Sequence, residues 1–247
     1  MNQEFLFIGH RGTRTDLDEN TIAAFKEAIK FGANYIEFDV RRTKDGKIII
    51  LHDKFLNRTT TGSGLLKNYN YEVVSRIRTR NNFSKIPLLT DVLLELKGKT
   101  KFIIDLKEKR LKKDVLKLIK GHSLLENIVF SGRSLRDLET IKTQYPIITT
   151  CYNITKGIDL TLENFMNLAI QNKINFKPDI ISLKSTLITE RFIDICKKRQ
   201  ILPIAWDFIQ FKDSLFWIKS MIKMGIDGIL FDNHKNIPKI KSWIISL

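Results

Sequence analysis

The chain has 247 residues, of which 43% are hydrophobic, and this is the size and apolar content of one α/β barrel rather than of two domains. It has no run of about 18 apolar residues, and its start lacks the basic segment and cleavage site of an export signal, so we expect a soluble cytoplasmic protein, with peripheral membrane contact as an alternative. Lysine and arginine number 42 against 27 acidic residues, a net charge of +15, which favours phosphodiesters, anionic membranes or nucleic acid as ligands.

Short β-rich apolar runs alternate with stretches of helical period, which is typical of a parallel sheet with crossover helices. In chain order the strand-like runs are 5–10, 35–40, 47–53, 101–107, 128–131, 147–152, 179–184, 202–206 and 228–232. The clearest helical stretches are 21–31, 90–96 and 111–120, and others lie between and after the later strands.

Nine strand-like runs are one too many for an eightfold barrel. The third run follows the second across Asp45-Gly46, a dipeptide typical of a tight antiparallel hairpin rather than a βαβ crossover. Without this return strand, eight parallel strands remain. The sequence therefore predicts a single (β/α)8 TIM barrel spanning 1–247, with a β-hairpin after its second strand.

An insertion at about 54–89 follows the hairpin. Its segment 54–85 is too long for an ordinary loop, so we expect a small subdomain or a lid within the barrel domain.

The remaining basic residues and the cysteines give no sign of another kind of site. The lysines are scattered, and neither a zinc finger nor an RNA-binding aromatic motif accompanies them, so we expect no nucleic-acid partner. Cys151 and Cys196 lie in apolar stretches without metal-like spacing, which predicts buried thiols rather than a disulfide.

Polar groups gather at the predicted carboxyl ends of the barrel strands, where catalytic groups of such barrels lie. The first strand ends in His10-Arg11-Gly12, and Glu37 and Asp39 share one face of the second. A two-residue turn at Asp45-Gly46 would place His52 directly across from Asp39.

A further strand end adds Asp105 and Lys107, which also share a face. Three convergent carboxylates, Glu37, Asp39 and Asp105, without thiolates favour a site for Mg²⁺, Ca²⁺ or Mn²⁺. Arg11 and Lys107 would compensate their charge and hold phosphate oxygens.

The two histidines at the strand ends, His10 and His52, form a pair able to do general acid and base work near neutral pH. His122 and His234 are interpreted as solvated residues at helix ends, without a role.

Several ordered segments resemble the glycerophosphodiester phosphodiesterase family. They are His10-Arg11-Gly12, Glu19-Asn20-Thr21, Glu37-Phe38-Asp39-Val40, Lys44-Asp45-Gly46, His52-Asp53, Leu56-Asn57-Arg58-Thr59-Thr60, 86–93 and Asp105-Leu106-Lys107. The resemblance is dense over roughly the first 107 residues and faint at the end, through Ala205-Trp206 and 225–232.

This resemblance implies hydrolysis of glycerophosphodiesters to glycerol 3-phosphate and an alcohol, with one divalent ion as cofactor. Matched by position, the catalytic pair is His10 and His52, the phosphate-binding pair is Arg11 and Lys107, and the matched metal ligands are Glu37 and Asp39. Trp206 would stack on the glycerol or alcohol portion of the substrate.

Two positions depart from the family pattern. The third metal ligand is commonly a glutamate, whereas this chain has Asp105, which is one methylene shorter and changes or loosens the choice of metal. The family's Ser-Phe after the fifth strand is Ser131-Gly132 here, which opens the pocket.

In the mechanism that these residues suggest, the metal and Arg11 neutralise the phosphodiester. One histidine takes a proton from the attacking oxygen and the other gives one to the leaving alkoxide; we favour His10 as base and His52 as acid. The attacker is either water or the substrate's own neighbouring hydroxyl.

Two other functions fit the same sequence. A lysophospholipase D would use this chemistry at a membrane, drawn there by the basic surface. Hydrophobic residues in 54–85 would favour it, but that segment is mainly polar. A catalytically silent phosphoester-binding barrel would result if Asp105 failed to complete the metal site, but a binder has no need of two histidines.

Overall fold

Eight parallel strands close into a barrel in the computed structural model, which describes residues 4–167 and 176–246. The strands of the sheet are β1 (Leu6–His10), β2 (Tyr35–Arg42), β3 (Ile48–Ile50), β4 (Lys101–Leu106), β5 (Ile128–Gly132), β6 (Thr149–Asn153), β7 (Ile180–Lys184), β8 (Leu202–Trp206) and β9 (Gly228–Phe231). Their order is β1-β9-β8-β7-β6-β5-β4-β2-β3, and β1 also pairs with β2, which closes the ring. The predicted (β/α)8 barrel is therefore confirmed, with β3 as the extra antiparallel strand.

Helices lie between the strands and cover the outside of the barrel. In the described residues they are α1 (Ile22–Lys30), α2 (Tyr71–Val74), α3 (Leu89–Leu96), α4 (Lys112–Gly121), α5 (Leu135–Gln144), α6 (Leu162–Met166), α7 (Glu190–Lys198), α8 (Ser214–Met224) and α9 (Asn236–Ile245). Their buried faces join the outward side chains of the strands in one large apolar cluster. Among the described helices, none combines the length and the apolar character needed to cross a bilayer.

The barrel interior changes from an apolar floor to a polar mouth. Successive strand residues face opposite sides, so alternate positions point inward. The inward floor residues are Leu6, Ile8, Ile103, Val129, Cys151, Ile180, Ile204 and Leu230. Two residues after Ile8 and Ile103, on the same strands, come His10 and Asp105. Chemistry-bearing groups therefore gather at the carboxyl ends of the strands.

The hairpin register differs by one residue from the prediction. Val40 pairs with Ile50, and the Leu51 N–H donates to the Asp39 carbonyl oxygen at 2.9 Å. Leu51, not His52, is therefore the residue across from Asp39, and the predicted pairing of His52 is wrong. His52 instead comes one residue later, in the segment that leaves β3.

The cause is a turn with three residues between the paired ends instead of two. The Thr43 N–H donates to the Lys47 carbonyl oxygen at 3.0 Å, and the Gly46 N–H to the Thr43 carbonyl oxygen at 3.1 Å. Gly46 has a φ of 85°, a left-handed conformation that glycine adopts at little cost. The Asp45-Gly46 signal thus located the hairpin but not the length of its turn.

The insertion has a small apolar cluster of its own. Its buried members, with those of the neighbouring hairpin, are Ile49, Leu51, Leu56, Leu66, Val74 and Ile86. Arg58 leaves this unit toward the mouth, where its Nη2 lies 2.7 Å from Glu19 Oε1. This cluster packs the insertion against the hairpin; that the segment forms a subdomain or moves as a lid stays a prediction.

His234 is not the solvated residue that the sequence suggested. Only 2% of it is exposed, its ring lies edge-on to Phe31 at 4.5 Å between centroids, and its Nδ1 is 2.9 Å from Thr13 Oγ1. The turn after β9 folds it inward against α1, so packing explains this histidine. His122 does lie at a helix end, directly after α4.

Both cysteines are free and buried, as predicted. Burial raises the pKa of Cys151 to about 12, which keeps its thiol protonated and unreactive near neutral pH.

The loop after β6 is fastened by a buried tyrosine. The Tyr152 hydroxyl donates to the Leu160 carbonyl oxygen and accepts from the Leu160 N–H, both at 2.9 Å. The Ile158 N–H also donates to the Arg133 carbonyl oxygen at 2.8 Å. These bonds tie the two ends of this loop to each other and to the end of β5.

We expect Tyr152→Phe to lower the free energy of unfolding by about 1–3 kcal/mol, because two buried backbone groups lose their partner. The matched control is Tyr145→Phe, at a half-buried residue whose hydroxyl has no hydrogen bond to a described residue; this variant should stay within about 0.5 kcal/mol of the parent protein. Urea unfolding of the three proteins measures both. Equal stabilities of the two variants would contradict the anchoring of the loop.

Candidate active site

The turn after β1 is held in a strained, compact form. Arg11 has a φ of 53° and Gly12 one of 79°. A Cβ on Gly12 would lie 2.6 Å from the backbone carbon of Ala24, so only glycine fits. The Arg11 N–H donates to Glu37 Oε2 at 2.9 Å. This turn therefore brings the arginine and the end of β2 together.

Three carboxylates converge beside this turn. Glu37, Asp39 and Asp105 are buried, and each offers an oxygen within 4.8 Å of those of the others. Asp39 and Asp105 are register neighbours on β2 and β4. Oδ1 of Asp105 is buried without a hydrogen-bond partner among the described residues. An oxygen-only set with an unsatisfied acceptor has the donor chemistry that Mg²⁺, Ca²⁺ and Mn²⁺ prefer.

Two cations neutralise part of this cluster. Lys107 Nζ lies 2.7 Å from Asp39 Oδ1 and also donates to Asp105 Oδ2. Arg11 Nε lies 3.2 Å from Asp39 Oδ2, and its Nη1 donates to Glu19 at 2.8 Å. The predicted metal ligands and phosphate-binding cations therefore lie in mutual contact.

The charges shift the pKa values of the carboxyl groups in opposite directions. Burial, and next the neighbouring Asp39, raise the pKa of Glu37 well above its usual range. Burial opposes ionisation of Asp39 as well, but Lys107 and Arg11 outweigh it and hold the pKa of Asp39 far below its usual value. Asp39 is thus more firmly ionised than Glu37, in keeping with its two cationic neighbours.

Each of the two predicted catalytic histidines is held by an aspartate. His10 Nδ1 lies 2.7 Å from Asp232 Oδ1, and His52 Nδ1 lies 2.6 Å from Asp53 Oδ1. Burial opposes ionisation of Asp232, but His10 outweighs it and lowers the pKa of Asp232 to about 2. Since an ionised carboxylate only accepts, His10 Nδ1 carries the hydrogen and its Nε2 stays available.

His52 also has its Nδ1 beside an ionised aspartate. Burial opposes ionisation of Asp53, but hydrogen bonds from Arg58 and His52 outweigh it and lower the pKa of Asp53 to about 2. Burial lowers the pKa of His52 to about 4, against the attraction of Asp39. The His52 ring is therefore neutral at pH 7, with Nε2 free to take a proton.

All eight predicted site residues line one cavity at the mouth. They are His10, Arg11, Glu37, Asp39, His52, Asp105, Lys107 and Trp206. A larger cavity of about 520 Å³ lies between α1, the insertion and α3. Its lining includes one carboxylate, Asp91, and no histidine, so it lacks the groups for the same chemistry.

Several residues at this site were given no role in the sequence analysis. Asp232 and Asp53 orient the histidines, and Asn20 Nδ2 donates to Asp39 Oδ2 at 2.8 Å. Arg133 and Lys156 line the far side of the cavity. All of them lie at or after carboxyl ends of strands, or in the turn after β1, and that position is the signal that could have found them.

Comparisons with known proteins agree with this geometry. A family model described as "Glycerophosphoryl diester phosphodiesterase family" matches residues 10–236. The glycerophosphodiester phosphodiesterase of Caldanaerobacter subterraneus subsp. tengcongensis is 28% identical, covering 94% of this chain and 96% of its own length. That of Bacillus altitudinis is 28% identical, covering 95% and 97%.

Solved structures share the fold. A glycerophosphodiester phosphodiesterase from Agrobacterium tumefaciens has a TM-score of 0.78 at 21% identity, covering 96% of this chain and 99% of its own. An Oleispira antarctica phosphodiesterase, solved in complex with the product sn-glycerol-3-phosphate, has a TM-score of 0.80 at 21% identity, covering 97% and 96%. Because the family match extends over nearly the whole of the 247 residues, the chain belongs to the glycerophosphoryl diester phosphodiesterase family.

Proposed function

We propose that this protein hydrolyses glycerophosphodiesters to glycerol 3-phosphate and an alcohol, with one divalent metal ion at Glu37, Asp39 and Asp105. The observation that carries the proposal is the convergence, in one cavity, of three buried carboxylates with two aspartate-held histidines. Family membership supports it, as do the names of the relatives and the product in the Oleispira antarctica structure.

The residues present fit a bound divalent ion. The three carboxylates offer only oxygen atoms, and Oδ1 of Asp105 has no other partner among the described residues. When bound, the ion would neutralise the carboxylates and polarise a phosphate oxygen. Mg²⁺ and Ca²⁺ are the ions we expect, with Mn²⁺ as a third possibility.

The chain's own groups would perform the remaining steps. Arg11 and Lys107, beside the carboxylates, would bind the phosphate oxygens and stabilise the charge that grows on them in the transition state. One of the two histidines would take the proton of the attacking oxygen at Nε2, and the other would give a proton to the leaving alkoxide. Because the His52 ring is neutral with its Nε2 free, His52 suits the role of base rather than the acid role favoured from the sequence. Trp206, at the end of β8, would pack against the glycerol or alcohol portion.

Metal-restored hydrolysis tests the proposal. We expect chelator-treated protein to be inactive toward glycerophosphoglycerol, and Mg²⁺, Ca²⁺ or Mn²⁺ to restore release of glycerol 3-phosphate. Asp105→Ala should raise the metal concentration for half-activity by about tenfold or more, because one charged ligand is lost, whereas Asp105→Glu, which keeps the charge, should be much milder.

The control for this series is Asp194→Ala, on the exposed face of α7, which should leave the metal requirement unchanged. Full activity in chelator, or an unchanged requirement in Asp105→Ala, would remove Asp105 from the metal site. No turnover of any diester with any of the three ions would instead favour a silent phosphoester-binding barrel.

The histidines allow a separate prediction. His10→Ala and His52→Ala should each lower kcat by about 10²-fold or more, because each removes a proton-transfer group. Asp232→Asn should lower it as well, by removing the charge that holds the His10 tautomer. His122→Ala, at the end of α4, is the matched control with normal turnover. A normal rate for either active-site variant would exclude that histidine from proton transfer.

A second candidate function, lysophospholipase D activity at a membrane surface, is favoured by exposed apolar side chains around the mouth. They follow the carboxyl ends of β6, β7 and β8 and are Ile158, Leu187, Ile209, Phe216 and Trp217. Phe55, Val73 and Phe83 in the insertion are exposed too. Together with the charge of +15, they suit peripheral contact of a cytoplasmic enzyme with an anionic bilayer.

We therefore expect the protein to co-sediment in low salt with vesicles of phosphatidylcholine and phosphatidylglycerol. It should dissociate from these vesicles at about 0.5 M salt. Phe216→Ser should reduce the bound fraction several-fold, because it removes an apolar contact at the mouth. Leu94→Ser, which changes an equally exposed residue on the outer face of α3, should not. Absence of binding in low salt would leave soluble diesters as the substrates.

A further inference from the structure

Two cations without an ion pair among the described residues line the mouth after β5 and β6. Arg133 follows β5 and Lys156 follows β6, and both line the active-site cavity. Within 4–167 and 176–246, neither side chain has an ion pair. The acidic residues of the same loops point elsewhere: Asp137 pairs with Lys112 at 2.8 Å, and Asp159 accepts from a backbone N–H.

The two cations act on each other. Burial, and next the charge of Arg133, lower the pKa of Lys156. Lys156 Nζ lies 5.6 Å from the centre of the Trp206 ring, a cation–π contact that holds the ammonium group over the pocket. An anion bound between Arg133 and Lys156 would attract both side chains and so offset their repulsion of each other.

Two polar atoms beside these cations also lack partners. Oδ1 of Asn153, at the end of β6, and Nε1 of Trp206, at the end of β8, are buried without a hydrogen bond to any described residue. Buried polar groups are almost always paired. One acceptor and one donor facing the same cavity therefore suit a ligand that carries hydroxyl and other oxygen groups.

The loop that carries Lys156 is fixed before any ligand arrives. The hydroxyl of Tyr152 bonds both backbone groups of Leu160, and the Ile158 N–H reaches the Arg133 carbonyl oxygen. A Cβ on Gly157 would lie 2.2 Å from the Tyr152 hydroxyl, so the loop passes this anchor as closely as it can. A preorganised loop loses little conformational entropy when a ligand binds.

The cationic region continues out of the pocket past Gly132. A groove of about 220 Å³ is lined by Gly132, by the five cationic residues Lys107, Lys109, Arg110, Lys112 and Arg133, and by the two carboxylates Glu108 and Asp137. A Cβ on Gly132 would meet only Leu138, at 3.9 Å, so this wall has open space beside the glycine. Lys107 and Arg133 line both the active-site cavity and the groove, and the adjoining groove offers room for a substrate portion longer than glycerol.

We propose that Arg133 and Lys156 form a subsite for a second phosphate group, carried on the alcohol portion of the glycerophosphodiester substrate. This inference rests on the proposed function. The glycerol part of such a diester carries only hydroxyls, so a second anion must belong to the alcohol part. Arginine offers a planar fork to phosphate oxygens and lysine a point charge, and the groove beyond Gly132 accommodates the extended end.

The test measures hydrolysis, in the presence of added divalent metal ion, of three substrates that share the same reacting phosphodiester. They are glycerophosphocholine, glycerophosphoglycerol, and glycerophosphoglycerol with a phosphomonoester on its second glycerol. For the parent protein we expect kcat/KM to be about tenfold or more higher for the phosphorylated diester than for glycerophosphoglycerol, since charge-assisted hydrogen bonds are lost without the second phosphate. It should be lowest for the choline diester.

Arg133→Gln and Lys156→Met should each bring toward one the ratio of kcat/KM for the phosphorylated diester to kcat/KM for glycerophosphoglycerol. Lys117→Met removes the same charge from the outer face of α4 and should keep the ratio of the parent protein. The preference should also weaken with added salt.

The possible results distinguish failure of the phosphate subsite from failure of the diesterase function. Hydrolysis of all three diesters with a ratio near one, or with a ratio that neither variant changes, would overturn the phosphate subsite and leave the diesterase standing. No turnover of any of the three with Mg²⁺, Ca²⁺ or Mn²⁺ would refute the proposed function and the subsite together.

Discussion

The structure depends on keeping three carboxylates buried side by side at the mouth of a barrel. Repulsion and desolvation oppose this arrangement, and the pKa of Glu37 is raised in response. Arg11 and Lys107 offset the rest. The chain around this cluster is tightly constrained. The turn at Arg11 and Gly12 is left-handed, and the side chain of Asn20 donates a hydrogen bond to Asp39; both features hold groups of the cluster in place. The electrostatic balance of the cluster explains why so many unlike side chains meet there.

Most of the fold and the heart of the site could be read from the sequence because both follow strong local signals. Alternating apolar runs gave the eightfold barrel, and the spacing of Glu37 and Asp39 placed both on one face. The register of β3 was missed because Asp45-Gly46 is compatible with turns of two or three residues, and only the Thr43 to Lys47 bond decides.

The residues that support the site were harder to foresee. Asp232 lies 222 positions after His10 in the chain, and no local pattern links them. His234, two residues later, was placed in solvent because helix ends are usually exposed, whereas contacts with Phe31 and Thr13 bury it. Such long-range partnerships appear only when the barrel closes and brings β9 beside β1.

The mouth of the barrel is divided between two sets of strands. The chemistry-bearing side chains come from β1 to β4 and the turn after β9, whereas the loop after β6 is tied down separately, through Tyr152 and the backbone of Arg133. Because that loop has its own anchor, substitutions at its tip should leave the carboxylates and histidines in place. With the subsite proposed above, a change in this one short loop would alter which alcohols are accepted and would leave the proposed proton-transfer residues unchanged.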